Sequence, residues 1–523
     1  MAALVHLIDT LARVNDNPST LSLPTLDSLR GLLRRAEKEV NASNNSYLPA
    51  VRLPPEILQY IFRLASFQVK NDLQSKLGNT GLSGDIWSVV EPVPAKVATI
   101  SGVCRRWRSV AIADSALWSM ITDRRDRRPL AISRQSGSAP LELRLLASPS
   151  DALRSLFQSD GHRIKSIEWD KANARTHDLN ILASSACRLE KLILGMNRHL
   201  ACIDSAELTA CFATQAPSLR QLTLRDCALL PENEFPRLTS LHLDGCPGPD
   251  ACHGVMGMLA RAPHLTDLVL SRLRMSGAPP PVALPCLRRL VCADIPGGDL
   301  ARFLAHVDLP EDASLRLHGT DPDPALFAAL ACTPAMRDAT ELCVSAEGEV
   351  VVAGPAAAVC FVQPKGRRAA PAWDAHAVLR NVLSATRIRK LWLLGERIGD
   401  PRRGLGLPVL PASVDTVVVQ DVALAVALGV LPGGSSAVTV HVLMTRFMSA
   451  SVVLAKLAQH PGAKRTNVVV GYLPSYKGDR ARPSGSEGAF ASLRFEEYAE
   501  EPRVALPEAC LERAHCLWPA WVE

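Results

Sequence analysis

The sequence predicts a mixed α/β protein in which a small all-helical unit precedes a long, degenerate α/β solenoid of strand and helix repeats. Two patterns support this class: three short amphipathic segments between residues 53 and 121, and a spaced leucine pattern that recurs from residue 164 onward. The chain has 523 residues, 47% of them hydrophobic and 21% charged, which is the composition of a globular protein. This length suits about three domains, or one repeat array with a small module.

The charge balance and the apolar runs exclude several classes of protein. Lysine and arginine number 58 against 52 acidic residues, an excess that is small for this length and does not indicate nucleic-acid binding. The longest apolar runs, residues 350–362 and 422–431, are shorter than the ~20 residues of a membrane-spanning helix. Asp9 and Arg13 stand where a secretory signal would be apolar. We therefore expect neither a nucleic acid nor a membrane as a partner.

The cysteines indicate a reducing compartment. All 14 are scattered singly, with no Cys-x-x-Cys pair, and Cys104, Cys187, Cys343 and Cys360 lie on apolar faces. This pattern is typical of buried free thiols. The sequence therefore predicts a cytoplasmic or nuclear protein.

The first 48 residues are expected to form an N-terminal helical segment and a linker. Residues 2–14 and 26–40 have the spacing of amphipathic helices, and the polar stretch 15–19 contains a proline that separates them. Residues 41–46 are polar and are expected to be a linker. A compact domain then follows over residues 49–122, with a looser insertion at residues 68–95.

The segment 53–65, LPPEILQYIFRLA, predicts the first helix of this domain. Two prolines suit the first turn of a helix, where the backbone N–H groups have no partner within the helix. The residues Leu53, Ile57, Ile61 and Ala65 fall on one stripe, and Leu58 and Phe62 lie beside it.

The segment 98–112, ATISGVCRRWRSVAI, predicts a second helix. Its apolar face would carry Ile100, Val103, Cys104, Trp107, Val110 and Ala111. A third short element begins at Asp114 and Ser115, which are favourable N-cap types, and carries Leu117, Trp118 and Ile121. These three helices could simply pack together as a small core with no other role. Their high apolar content indicates that surface is left over for an interface.

From residue 141 onward the sequence becomes repetitive. Apolar residues recur at relative positions 0, +3 and +5, five times in succession, as in Leu219, Leu222 and Leu224. Positions +3 and +5 share one face of a strand, and a helix-like stretch separates most copies. A strand and a helix every 19–30 residues cannot bury their apolar faces alone, so stacked copies of a leucine-rich-repeat-like solenoid are expected. The alternative is an ordinary α/β domain with irregular strands.

The array is expected to cover residues 140–345. Residues 346–523 would be a degenerate continuation with a C-terminal cap, because the periodicity weakens past about residue 300. Residues 388–393 and 414–419 still read as degenerate copies, residues 375–385 and 450–459 as helices, and residues 467–471 as a strand.

The spaced elements of residues 53–121 resemble an F-box of the fungal type. LPPEILQYIF, then VCRRWRSVA, then a Leu-Trp pair and an aliphatic residue match the order of the family's motif. The resemblance implies that this domain docks on a Skp-type adaptor, which binds a cullin that carries a RING subunit. The chain would then be the substrate receptor of that ubiquitin ligase, and the repeat array would bind an unknown substrate protein.

Transferred onto this sequence, the adaptor contacts of the family fall on apolar residues of the three elements. They are Leu53, Pro54, Ile57, Leu58, Ile61, Phe62, Val103, Cys104, Trp107, Leu117 and Trp118. Some of these must instead hold the helices together. Trp107 and Trp118 are the better candidates for the core, because large aromatic residues dominate small cores, and Leu53, Pro54 and Ile57 for the interface.

The insertion at residues 68–95 departs from the family's pattern, because it lengthens the connection between the first two F-box helices. A loop of this length costs little entropy if it projects outward. It could also hinder docking or add contacts of its own.

The sequence contains no motif that indicates catalysis or a cofactor. No Gly-rich phosphate loop, His-Glu-x-x-His or Gly-x-Ser-x-Gly occurs. Cys246, Cys252 and His253 lack the spacing and the fourth ligand of a zinc site. The basic run 124–128 could be a nuclear localisation patch or a phosphate contact, but a solvated linker is the preferred interpretation. We therefore expect a non-catalytic ligase receptor, and the alternative is an interaction scaffold with no ligase role.

Overall fold

The structure is a computed structural model that describes most of the chain. The described residues are 2–16, 23–69, 90–92, 94–122, 129–145, 149–172, 188–196, 218–227, 230–246, 251–275, 277, 280–345, 349–362, 375–395, 410–431, 438–445, 448–478, 480, 487–515 and 517–521. They form a mixed α/β protein with a large, mostly parallel sheet. Within these residues, no helix has both the length and the apolar character that crossing a bilayer requires. The basic run 124–128 lies outside them.

The chain divides into two compact units. The first comprises Met1–Lys70, Val90–Arg144 and Ser150–Lys165, and the second runs mainly from Ser166 to Glu523. The described helices of the first unit are α1 (Ala2–Asp16), α2 (Leu23–Tyr47), α3 (Pro49–Arg52), α4 (Pro55–Ser66), α5 (Pro94–Val103), α6 (Arg105–Ala113), α7 (Pro129–Gln135) and α8 (Asp151–Asp160). Its described strands are β1 (Phe67–Val69), β2 (Val90–Pro92), β3 (Met120–Thr122) and β4 (Leu141–Leu145), and 3-10 turns occupy Ser115–Trp118 and Gly161–Arg163.

Helices α1 and α2 pack against each other as a hairpin. Both are longer than the sequence indicates, and the linker expected at residues 41–46 is wrong because these residues continue α2. No proline or glycine occurs within residues 41–46. Helix α2 ends at Tyr47 because Leu48 precedes Pro49, and the residue before a proline is disfavoured in a helix. The buried side of α2 carries Leu29, Leu32 and Ala36.

Helices α4, α5 and α6 and the turn Ser115–Trp118 form a small core; we call these four elements the helical module. The single helix expected over residues 98–112 is wrong, because the chain breaks at Cys104 into α5 and α6. Cys104 is the N-cap of α6, with an extended backbone and a Sγ that accepts a hydrogen bond from the Trp107 N–H at 3.4 Å. The third element begins at the N-cap Asp114, as the sequence predicts.

The second unit contains the large sheet. Its described strands are β5 (Ile164–Ala172), β6 (Lys191–Met196), β7 (Gln221–Arg225), β8 (Ser240–Asp244), β9 (Asp267–Ser271), β10 (Val282–Ala283), β11 (Arg289–Ala293), β12 (Val307–Asp308), β13 (Ser314–His318), β14 (Glu341–Val344), β15 (Val350–Ala353), β16 (Ala358–Val362), β17 (Lys390–Leu393), β18 (Thr416–Gln420), β19 (Thr439–Met444), β20 (Asn467–Tyr472) and β21 (Ser492–Glu497). Its described helices are α9 (Ala251–Ala260), α10 (Gly297–Ala305), α11 (Pro324–Ala331), α12 (Pro334–Arg337), α13 (Ala375–Ala385), α14 (Leu424–Val430), α15 (Ala450–Ala458) and α16 (Glu508–Leu511).

The leucine pattern of the sequence is confirmed as a pattern of strands in register. Positions +3 of successive copies stand side by side: Ile167, Leu192, Leu222, Leu241, Leu268, Leu290 and Leu315. Positions +5 form the next row: Trp169, Leu194, Leu224, Leu243, Leu270, Cys292 and Leu317. Both rows are buried, and the residues that alternate with them lie on the other face of the sheet.

A left-handed residue follows several consecutive strands. Asp226, Arg272 and Asp294 have φ angles of 52°, 52° and 53°, and Gly245 follows β8 in the same conformation. Its N–H donates to the Ser271 carbonyl at 2.9 Å, which extends the ladder by one bond. A Cβ at Gly245 would stand 2.6 Å from Asp226 Oδ1, so this position requires glycine.

The sheet continues past residue 300 in a different order. The strand order here is β13-β16-β15-β14. After β13 the chain forms β14 three positions away, and it returns through the antiparallel strand β15 to β16, which pairs with β13. Strand β17 then pairs with β14, and β18 to β21 follow in parallel. The weakened periodicity after residue 300 therefore marks this three-strand excursion rather than the end of the sheet. The degenerate copies at Leu391 and Val417 are confirmed as registered neighbours.

Candidate interaction surfaces

Helix α4 has two apolar sides with opposite environments. Leu58 and Phe62 are 0% and 1% exposed and pack in the core of the helical module. On the other side, four large side chains at helical spacing point away from that core: Ile57, Tyr60, Ile61 and Leu64 are 47%, 62%, 38% and 60% exposed. We call these four residues the apolar face of α4.

Two tryptophans complete the core of the helical module. The ring of Trp107 lies 5.0 Å from the ring of Phe62, centre to centre, with a tilt of 56°. Trp118 donates its indole N–H to the Ala111 carbonyl at 2.7 Å, which satisfies its polar atom. Val97, Ile100 and Val110 are buried in the same cluster. This packing fixes the direction in which the apolar face of α4 points.

Polar contacts hold the ends of α4 in place. Arg63 donates two hydrogen bonds to the carboxylate of Asp114, from Nε at 2.8 Å and from Nη2 at 3.0 Å. The Asp114 side chain is 3% exposed and also accepts from the Ala116 N–H at 3.3 Å. At the other end, Arg106 Nη2 donates to the Leu53 carbonyl at 2.8 Å, just before α4 begins.

The described residues expose large apolar side chains almost only in the first unit. The exceptions are Val452 and Leu511. In the first unit, Val103 and Ile112 of the helical module are 52% and 45% exposed, in addition to the apolar face of α4. Large exposed apolar side chains on so small a module make this a candidate interaction surface.

The structure divides the eleven candidate contact residues into three groups. Three are buried in the core: Leu58, Phe62 and Leu117. Four are partly buried: Leu53, Trp107 and Trp118 pack on the core, and Cys104 is the N-cap of α6. Four are exposed: Pro54, Ile57, Ile61 and Val103. Tyr60, Leu64 and Ile112 are exposed apolar residues that the sequence reasoning missed, although Tyr60 and Leu64 complete an i, i+3, i+4, i+7 pattern with Ile57 and Ile61.

A short β-ribbon closes the insertion that follows α4. Strand β1 pairs antiparallel with β2, so that Val69 stands opposite Val90 and Phe67 opposite Pro92. The two ends of the insertion are therefore adjacent, although residues 70–89 lie outside the described part. The ribbon explains how α4 and α5 pack together in spite of the long connection between them.

A second candidate surface, one face of the large sheet, is occupied by the chain itself. Residues 498–515 and 517–521, which we call the C-terminal strap, run back across the strands from β20 to β11. The Tyr498 N–H donates to the Tyr472 carbonyl at 3.0 Å, and the Ala505 N–H donates to Glu341 Oε2 at 3.4 Å. Farther along, Arg289 lies 3.8 Å from Glu512, nitrogen to oxygen.

The strap is part of the core of the second unit. Five of its side chains are at most 5% exposed: Val504, Cys510, Leu517, Trp518 and Trp521. They pack on strand residues that alternate with the leucine rows, among them Val269, Val291, Cys360, Trp392 and Val418. The strap therefore covers the face of these strands that a repeat array would otherwise present.

Buried histidines lie in the strap and on the strands near it, together with buried arginines. Burial is the main cause that lowers the pKa of His318 and of His515 to about 3, and neighbouring arginines add to it. Burial also lowers the pKa of His242 well below its usual range, together with Arg225 and His515. The three imidazoles are therefore neutral at physiological pH.

The residues that the structure describes hold no candidate metal site. They contain no group of three or more His, Cys, Asp or Glu that could hold a metal ion. Every cysteine within them is a free thiol. Burial raises the pKa of Cys246 to about 12, which makes its thiol a poor nucleophile. No model of a known protein family matches this chain. No curated protein sequence matches it either.

Proposed function

We propose that this protein is the substrate-receptor subunit of a Skp–cullin–F-box type ubiquitin ligase. The helical module is the F-box and docks on the Skp-type adaptor, and the second unit, a leucine-rich-repeat-like array, binds the substrate protein. The single observation that carries the proposal is the apolar face of α4, held outward by the core of the helical module.

The geometry narrows the proposed adaptor contacts. Residues in the core of the helical module cannot also contact a partner unless the module unfolds, so the contact set excludes Leu58, Phe62 and Leu117. The partly buried residues are left out too, because they pack on that core or cap α6: Leu53, Cys104, Trp107 and Trp118. The proposed contacts are Pro54, Ile57, Tyr60, Ile61, Leu64 and Val103. Aromatic and aliphatic side chains at the centre of such a patch supply most of the binding energy.

The receptor acts by positioning and not by chemistry of its own. The receptor holds the substrate close to the ligase, which then transfers ubiquitin to a lysine of that substrate. Transfer is faster because the two reacting groups are held near each other. Such ligases work in the cytoplasm or the nucleus, where thiols stay reduced, and the free cysteines of the described residues suit that setting.

The strap restricts where the substrate can bind. Its five buried side chains make the strap-covered face part of the protein's core, and exposing them would cost several kcal/mol. We therefore place the substrate contact on surface outside the strands that the strap covers. The chemistry of the substrate is open.

Co-expression with a Skp-type adaptor and size-exclusion chromatography test the adaptor contact. We expect a 1:1 complex with the wild-type chain and none with the double variant Ile57→Glu/Leu64→Glu, because two carboxylates would be buried without partners. The matched control is Val452→Glu, an equally exposed aliphatic residue of α15 in the second unit, which should leave the complex intact. No complex with the wild type, or a complex unaffected by the double variant, contradicts the proposal.

The alternative is an interaction scaffold without a ligase role. The strap supports this alternative, because it already covers the face of the sheet on which a substrate could otherwise bind. The discriminating measurement is whether a cullin co-purifies with the adaptor and whether the reconstituted assembly transfers ubiquitin. Adaptor binding without cullin would favour the scaffold.

A further inference from the structure

Helix α2 carries a line of exposed apolar residues that the proposed function does not use. Leu26, Leu33, Val40 and Tyr47 are 44%, 50%, 44% and 69% exposed. They are seven residues apart, so successive members lie two turns apart along one side of the helix. A neighbouring side of α2 holds the buried residues of the hairpin, so this line is separate from the internal packing. We call these four residues the α2 stripe.

The length and spacing of the stripe suit a helix–helix seam. Residues every seventh position remain in line when two helices supercoil, which is the pattern of a coiled coil. Helix α2 has 25 residues and is therefore about 37 Å long, enough for three heptads. Exposed large apolar side chains this numerous on one hairpin indicate a covering partner.

The charges beside the stripe indicate which partner covers it. Arg30 and Glu37 border the stripe on its outer side, three residues before and four residues after Leu33. Arg30 has only a 3.6 Å contact with Asp27 on the same helix, and both side chains are mostly exposed, so this pair holds it weakly. An antiparallel copy of α2 with its two-fold axis at Leu33 would place each Arg30 beside the second copy's Glu37. The surface is therefore complementary to itself, as a two-fold interface requires.

We propose that α2 is a homodimerisation element: two copies of this chain pair antiparallel through the α2 stripe, with Leu33 at the axis, Leu26 against the second copy's Val40, and two Arg30–Glu37 ion pairs at the sides. This pairing does not depend on the proposed function, because the apolar face of α4 is a different surface. If both hold, one assembly carries two substrate receptors.

Light scattering on the eluting full-length chain, over a range of loading concentrations, tests the dimer. We expect a dimer for the wild type and a monomer for Leu33→Glu, because two carboxylates would meet at the axis without partners. The matched control is Ser28→Glu, which adds the same charge to an exposed position on the opposite side of α2 and should remain dimeric. Circular dichroism checks that each variant retains its helices.

Charge reversal separates this antiparallel pairing from other modes of association. Arg30→Glu and Glu37→Arg each place like charges side by side on both sides of the seam, so each should weaken the dimer roughly three- to tenfold. The double variant Arg30→Glu/Glu37→Arg restores opposite charges and should recover wild-type affinity. Sedimentation equilibrium provides the dissociation constants.

Three results would overturn the proposal. A wild-type chain that stays monomeric at every concentration excludes the dimer. A dimer that survives Leu33→Glu lies on another surface. Failure of the double charge reversal to recover affinity, with both single variants weakened, excludes the antiparallel register.

Discussion

The guanidinium carbon of Arg316 on β13 lies 5.8 Å from the centre of the Trp521 ring in the C-terminal strap. The Arg316 side chain is 3% exposed, and its Nη2 donates to Glu349 Oε1 at 3.0 Å. A buried cation with a carboxylate on one side and an aromatic ring on the other is stabilised by both. This contact joins the end of the chain to the middle of the sheet, so the strap is a structural part of the second unit.

The first prediction concerns the packing of the strap. Trp518 is fully buried, and its indole N–H donates to the Ala509 carbonyl at 2.7 Å. We expect Trp518→Ala to lower the free energy of unfolding by about 3–5 kcal/mol, because it leaves a cavity. Leu511→Ala in the same strap, at a site that is 56% exposed, should change it by less than about 0.5 kcal/mol. Urea unfolding of both variants decides; equal effects would mean that the strap is not packed as described.

Acid should destabilise the second unit through its buried histidines. His318 and His515 have folded-state pKa values of about 3, below the unfolded value of about 6.5. The unfolded chain therefore binds more protons between these values, and stability falls as the pH drops from about 6.5 towards 3. Each histidine contributes up to about 1.4 kcal/mol per pH unit in that window.

The histidine variants isolate this effect. Urea unfolding at about pH 7 and about pH 5 should give a smaller loss of stability for His515→Gln than for the wild type, since one buried imidazole no longer titrates. His6→Gln, at an exposed position of α1, should leave the loss unchanged. An identical loss in all three proteins would contradict the role of His515.

An ion pair at the end of β8 should matter more than an ordinary surface pair. Arg272 donates from Nε and Nη2 to the Asp244 carboxylate, both at 2.7 Å, and the Asp244 side chain is 1% exposed. We expect Arg272→Ala to cost about 2–3 kcal/mol in the free energy of unfolding, because it removes two bonds from a buried carboxylate. Alanine and arginine pay a similar energetic cost for the left-handed backbone at position 272. The loss of stability in the variant therefore measures the contribution of the ion pair.

The control for that pair is Arg337→Ala. Arg337 contacts Asp338 at 3.2 Å, but both side chains are more than half exposed. Thermal unfolding of this variant should match the wild type. A loss for Arg272→Ala no larger than for Arg337→Ala would show that burial of Asp244 is unimportant.

The insertion after α4 should be dispensable. The pairing of Val69 with Val90 leaves its ends adjacent, so an Asn-Gly turn can replace residues 70–89 and connect β1 to β2 directly. The free energy of unfolding should not fall, because a shorter connection costs less closure entropy. Circular dichroism and urea unfolding measure this, and a loss of helical signal would sink the prediction.

Sequence spacing predicts many elements of this protein closely. Periodicity, proline placement and capping residues predict three elements closely: the first helix of the helical module, the turn that Asp114 caps, and helix Ala375–Ala385. The division of α4 into a buried and an exposed side was less accessible. Ile57 and Leu58 are both aliphatic, and only the positions of Trp107 and Val110 decide which of them is covered. The break at Cys104 was missed because the apolar spacing continues across it.

The sequence by itself determined the mixed α/β class, the registered rows of leucines and the presence of free thiols. These features depend on local spacing, since side chains two apart on a strand share a face whatever lies beyond. Only the tertiary structure decided the excursion through β14, β15 and β16 and the path of the strap over β11 to β20. The reason is that the partners of Trp518, Trp521 and Arg316 lie far away in the chain, and contact between distant residues leaves no periodic trace in the sequence.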